Sequence, residues 1–135
     1  MVFRMERRET FSSAHRLHSP LLTDEENAEV YGKCNNINGH GHNYVWRVVL
    51  EGDLDERTGM LFDLAELKSA MAYVMDIVDH RNLDKDIPFF QQKPSTSENL
   101  VFFLHSTLKS KLSKPCLLKE SILHETEKNV FSYSD

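Results

Sequence analysis

His40-Gly41-His42-Asn43-Tyr44-Val45-Trp46-Arg47-Val48-Val49-Leu50 is the run whose reading decides the fold. Its even positions are His40, His42, Tyr44, Trp46, Val48 and Leu50, and alternate residues of a strand share one face. The run predicts a strand whose later members enter a core while two histidines open the same face. The Asn- and Gly-rich residues 32–39 lead into it as a loop. Before that loop, Phe3, Met5, Phe11 and His15 fall on odd positions, a loose period of two that predicts a first strand over residues 3–15.

Residues 23–31 read as a short helix, with Thr23 and Glu26 forming a capping box in which hydroxyl and carboxylate satisfy each other's backbone N–H. Beyond the second strand, Leu64, Leu67, Met71, Val74 and Val78 recur at helical spacing behind Asp63 and Glu66, which are read as caps. A second long helix starts near Ser95 or Ser97, with Glu98 completing a box and Val101, Leu104, Leu108 and Leu112 on one face. Two further strands follow, over about residues 116–125 and 129–134, turning at Glu127-Lys128-Asn129. The order is ββααββ with a small helical insert. It predicts an α+β fold: an antiparallel four-stranded sheet with two helices on one face, in a single domain over residues 1–135. Open sheet edges invite pairing, so oligomerisation is expected.

A chain of 135 residues can bury about two-thirds of its unfolded surface, enough for a core without staples. The net charge of −5, without a block of like charges, argues against a broad nucleic-acid-binding face. No run is long and apolar enough to span a membrane, and the first residues lack a signal-peptide core, so a cytoplasmic protein is expected. Of the two cysteines, Cys116 reads as a plain buried thiol at a strand start. Cys34, in a polar loop near the histidines, reads as chemical.

His40 and His42 can reach one metal ion, and His15, ending the first strand, supplies a third imidazole if the two strands pair. Three imidazoles leave one tetrahedral position open, the mark of a catalytic zinc site. An isolated His-x-His is more often two ordinary histidines. His15, the space at Gly41 and the nearness of Cys34 tip the reading towards a metal. Cys34 as a fourth ligand, closing the site, stays open as an alternative. On pattern alone Asp79 and His80 read as helix-end polarity, because adjacent residues seldom hydrogen-bond to each other. Glu125 reads as a solvated strand residue, although a carboxylate there could hold a planar amidine-like edge by two parallel bonds. His18, His105 and His124 read as bystanders.

Together, the segments Phe11 to Arg16, Asp24 to Asn27, Gly32 to Tyr44, Gly59-Met60, Asp79 to Asp84, Ser95 to Asn99 and Glu125-Thr126 resemble the 6-pyruvoyltetrahydropterin synthase family, in order across nearly the whole chain. The run from Lys33 to Tyr44 is the most specific part. The resemblance implies the tunnelling fold, with sheets of several subunits joined into an oligomeric β-barrel and two trimers stacked as a homohexamer. It implies a zinc-dependent lyase converting 7,8-dihydroneopterin triphosphate to 6-pyruvoyltetrahydropterin with loss of triphosphate, in tetrahydrobiopterin biosynthesis. His15, His40 and His42 then match zinc ligands, one Zn²⁺ per subunit, with Mg²⁺ a candidate companion of the triphosphate. Cys34 matches the proton acceptor, Asp79 and His80 its relay, and Glu125 the pterin anchor, with Thr96 and Ser97 as further substrate contacts. His80 would come from a neighbouring subunit. Two rivals are a 6-carboxytetrahydropterin synthase of the queuosine pathway, whose members set Cys closer to the His-Gly-His, and a non-catalytic zinc- or pterin-binding module. Here five residues separate Cys34 from His40.

Overall fold

In the computed structural model, which describes residues 2–135, two long antiparallel strands form the centre of the sheet. They are β1 (Phe3–His15) and β2 (His40–Gly52), paired along their whole length from Phe3 against Gly52 to His15 against His40. Between them lies α1 (Asp24–Tyr31), whose N-terminus carries the expected Thr23–Glu26 capping box. The loop after it contains a single 3₁₀ turn over Gly32–Asn35. Strands β4 (Leu118–His124) and β5 (Val130–Tyr133) extend the sheet on the β2 side.

The sheet has five strands rather than four. The added one is β3 (Arg81–Asn82), a two-residue strand that runs parallel to β1 through Ser13 and Ala14. So short a segment has no period to read, and its pairing follows from where the preceding helix delivers the chain. That helix is α2 (Leu64–Val78), capped by Asp63, whose carboxylate accepts the Ala65 N–H. Glu66 closes no box there; its carboxylate instead accepts the N–H and hydroxyl of Ser113. Next come α3 (Leu83–Asp86) and α4 (Ser97–Lys109), the latter capped by Thr96 through the Asn99 N–H rather than by a box with Glu98.

One core lies between the sheet and α2 and α4. From β2 it takes Tyr44, Trp46, Val48 and Leu50, and from the helices Leu67, Met71, Val74, Leu100, Leu104 and Leu108. A fully buried side chain of this size contributes about 1.5–3 kcal/mol relative to exposure, so this seam anchors the end of β2 from which the histidines project. Leu64, expected on the apolar face, is largely exposed, and Ala70 is buried in that stripe instead. One expectation fails outright: Cys116 is exposed in a 3₁₀ turn before β4. His105 is a fully buried member of α4, bonded to the Ser121 hydroxyl and to Asp135. No helix of the described residues is long and apolar enough to cross a membrane.

Candidate metal centre and active site

The strand register creates the metal centre. His15 stands directly opposite His40, and His42 follows one pleat along on the same face. The ring centroids of His15 and His40 are 4.6 Å apart, those of His40 and His42 4.9 Å, and those of His15 and His42 5.3 Å. One ligand nitrogen from each lies within 4.8 Å of the others, a convergence that could hold a metal ion. Two glycines permit this approach. Gly39 turns with φ +74°, and a Cβ there would lie 3.0 Å from the His15 carbonyl; a Cβ on Gly41 would lie 3.2 Å from that of Ser13. The backbone thus comes closer to β1 than a Cβ at either position would comfortably allow.

Electrostatics suit the same role. Burial holds His15 and His42 below the usual imidazole range, so both rings are neutral at physiological pH, as a ligand must be. His15 donates from Nδ1 to the Ser95 carbonyl at 2.8 Å, which leaves Nε2 turned to the cluster, 3.1 Å from His40 Nε2. Three neutral imidazoles fit Zn²⁺. Among the described residues, Cys34 is not one of the converging donors, so sulfur does not close the fourth position.

Glu125 sits just past the end of β4, where its N–H bonds the Asn129 carbonyl across the hairpin. It is no solvated strand residue. Its Oε2 accepts a hydrogen bond from the Ser97 hydroxyl, and Oε1 lies 3.8 Å from His42 Nε2. The start of α4 and the end of β4 therefore bring Ser97 and Glu125 to the histidines. The Thr96 hydroxyl caps α4 beside them. Tyr44, next along β2, places its ring 5.5 Å from that of His42, and its buried hydroxyl has no hydrogen-bond partner among the described residues.

Asp79 and His80 form the contact that sequence spacing argued against, with Nδ1 to Oδ1 at 2.9 Å. The backbone explains it. His80 adopts φ +59°, a left-handed conformation that is uncommon for a residue with a Cβ and that folds its ring back over the preceding side chain. Its N–H bonds the Ser12 carbonyl at 2.7 Å, while the Ser12 N–H reaches Asp79 Oδ1 at 3.0 Å. That amide, with His80 adding to it, holds the Asp79 carboxyl below the usual carboxylate range. The pair stands beside Thr10, Ser12 and Asn43, strand residues that alternate away from His15 and His42. It belongs to the other side of the sheet, and the His80 side chain is 84% exposed. Cys34 is half-buried in its 3₁₀ turn, tied down by the Leu17 N–H to its carbonyl. Among the described residues, no hydrogen bond joins Cys34 to His80.

What sequence reading missed is the support of His15 by Ser95, which lies 80 positions away and carries no local signal.

Comparison with known proteins places these features in a wider set. Residues 4–135 match the family described as 6-pyruvoyl tetrahydropterin synthase. The solved structure of the Caenorhabditis elegans 6-pyruvoyl tetrahydropterin synthase superposes with a TM-score of 0.98 at 53% identity, covering 100% of this chain and 96% of that one. The Drosophila melanogaster 6-pyruvoyl tetrahydrobiopterin synthase is 52% identical over 94% of this chain and 76% of its own length. The Homo sapiens protein of the same name is 44% identical over 94% of this chain and 88% of its own.

Proposed function

The chain belongs to the 6-pyruvoyl tetrahydropterin synthase family, and from that premise we propose that it converts 7,8-dihydroneopterin triphosphate to 6-pyruvoyltetrahydropterin with release of triphosphate. It has the tunnelling fold of that family and is a lyase-type enzyme acting on a pterin. The observation that carries the finer reading is the convergence of His15, His40 and His42 within 4.8 Å, beside the Glu125 carboxylate held by the Ser97 hydroxyl.

His15, His40 and His42 would hold one Zn²⁺ per subunit. When bound, Zn²⁺ supplies Lewis acidity that makes C–H bonds of the substrate side chain easier to deprotonate. Cys34 removes such a proton, acting as its thiolate. His80 of a neighbouring subunit prepares that thiolate: Asp79 accepts from its Nδ1–H, which leaves Nε2 as the acceptor of the thiol proton. Glu125 accepts two parallel N–H bonds from the amidine-like edge of the pterin. Ser97 fixes the rotamer of that carboxylate, and Thr96 caps the helix that presents Ser97. Loss of a side-chain proton with departure of the triphosphate, Mg²⁺ its companion, gives an enol that becomes one carbonyl. A further proton shift from the remaining carbinol carbon to the pyrazine ring gives the second carbonyl while reducing the dihydropterin to a tetrahydropterin, so no external oxidant or reductant is needed.

The reading extends to one domain over residues 1–135 that works as a cytoplasmic homohexamer. The relay pair fits such an assembly because its histidine points out from the chain.

The decisive experiment supplies 7,8-dihydroneopterin triphosphate to the zinc-loaded protein, follows triphosphate release and weighs the product. Triphosphate release with the mass of 6-pyruvoyltetrahydropterin is expected, and Cys34→Ala should lose about 10²–10⁴-fold in rate, the usual share of a positioned base. A product of 6-carboxytetrahydropterin mass, or Cys34→Ala turning over as fast as wild type, overturns the reading.

A further inference from the structure

We propose that Asp84 is a positioning residue for the metal centre, fixing His15 through both its backbone and its ring. The inference rests on the reading of His15, His40 and His42 as metal ligands.

Each oxygen of this carboxylate has one task. Oδ2 accepts the N–H of Arg16, the residue immediately after His15, at 2.7 Å. Oδ1 accepts the Ser95 hydroxyl at 2.6 Å. Ser95 in turn supplies the carbonyl that receives His15 Nδ1–H at 2.8 Å. The loop Asp84–Ser95–His15–Arg16 thus closes on a single imidazole. One arm sets the backbone that carries the ring, and the other sets the acceptor that selects its tautomer. Ser95 is fully buried and His15 is 1% exposed, so water does not compete for the bond between them, while Asp84 itself is half-buried.

Asp84 is itself held rigidly. The Asn82 side chain accepts the N–H groups of Asp84 and Lys85 at 3.0 and 3.1 Å, and Asp86 accepts the Asn82 N–H at 2.8 Å. Leu83 is fully buried in the core, and Asn82 pairs with Ala14 next to His15. The turn of α3 therefore fixes a carboxylate 69 positions from the ligand it serves. Partners of this kind orient a metal-binding imidazole and raise its basicity, and their loss typically costs ~10–100-fold in metal affinity.

Metal-stripped wild type, Asp84→Asn, Ser95→Ala and His105→Gln are titrated with Zn²⁺ against a competing chelator. The Co²⁺-loaded forms are compared by visible absorption, and metal-free stability is measured by urea. His105→Gln disturbs a buried polar cluster away from the centre and so reports general destabilisation. Asp84→Asn is expected to bind Zn²⁺ about 10–100-fold more weakly and to shift its Co²⁺ bands, with His105→Gln unchanged in both even if it unfolds as early. Ser95→Ala, which removes the Oδ1 arm together with the 3.3 Å contact of that hydroxyl with His15 Nδ1, should move the same way by less, and it decides the matter should Asp84→Asn not fold. Zn²⁺ affinity and Co²⁺ bands equal to wild type, or an equal loss in His105→Gln, overturn the inference. A wild type that binds no Zn²⁺ overturns instead the ligand reading beneath it.

Discussion

The three histidines and the Asp79–His80 pair are built at the same end of β1, yet one set is turned inward and the other ends in an exposed ring. The histidines lie on the core side, meet one another, and include a ring whose second nitrogen is bonded within the protein. Asp79 and His80 lie on the other side, bonded to each other and to Ser12, with the imidazole 84% exposed. Both features use left-handed backbone, unstrained at Gly39 with φ +74° and costly at His80 with φ +59°, which carries a Cβ. Strain held in place over an exposed histidine makes sense if a second copy of the chain uses it. On the proposed assembly, the contrast teaches that burial would mark what one subunit completes and fixed exposure what it lends.

The largest effect follows from that contrast. Cys34→Ala and His80→Ala are each expected to lose about 10²–10⁴-fold in triphosphate release. If His80 serves a neighbour's Cys34, unfolding and refolding the two inactive variants together in equal amounts restores about a quarter of wild-type activity, because half the sites keep each intact partner. Mixtures as inactive as the parents would show that both residues act within one chain, and the comparison would break.

A medium effect tests the backbone side. Gly39→Ala should destabilise the protein by about 1–2 kcal/mol or more, since its left-handed φ disfavours any Cβ and the His15 carbonyl waits 3.0 Å away. His80→Gly should change stability by less than about 1 kcal/mol, because relief of φ is offset by a more flexible unfolded chain. Urea midpoints check both. Equal losses at the two sites would mean that the left-handed turn at His80 is as unforgiving as the one at Gly39.

These differences also explain what could be read in advance. The face of β2 was legible because period two from His40 to Leu50 fixes which side each residue takes, and the loop reversal to β1 aligns His15 with His40. Helices α2 and α4 were legible from apolar spacing. Glu125 was legible only through family resemblance, since its bond to Ser97 joins a helix start to a hairpin 28 positions away. The Asp79–His80 contact was misjudged because local spacing assumes ordinary φ, and His80 departs from it. Cys116 was misjudged because Pro115-Cys116-Leu117 forms a 3₁₀ turn before the strand proper begins. His105 was passed over because a helix pattern gives no notice of the Ser121 and Asp135 partners that come from the last strands.

His105 supplies the smallest test and separates burial from ligation. It is a buried imidazole like His15, but its neighbours are the Ser121 hydroxyl, the Tyr133 ring and the Asp135–Lys109 ion pair rather than other histidines. Burial lowers its pKa from the ordinary 6.5, against the opposing pull of Asp135. With the folded value below the unfolded one, the unfolded chain takes up the proton first. The stability gained by burying a neutral ring is complete above about pH 6.5 and drains away as pH falls towards the folded value. His15 and His42 shift in the same direction, so in metal-free protein all three imidazoles contribute to one decline below pH 6.5. The lowered carboxyls of Glu6, Asp79 and Asp135 act only in the more acidic range where carboxylates titrate. The urea midpoint of metal-free wild type should therefore fall between pH 7 and 5.5, and that of His105→Gln should fall less steeply. Parallel slopes would mean that His105 exchanges its proton as freely as an exposed ring, and burial alone would no longer account for the neutral state of His15 and His42.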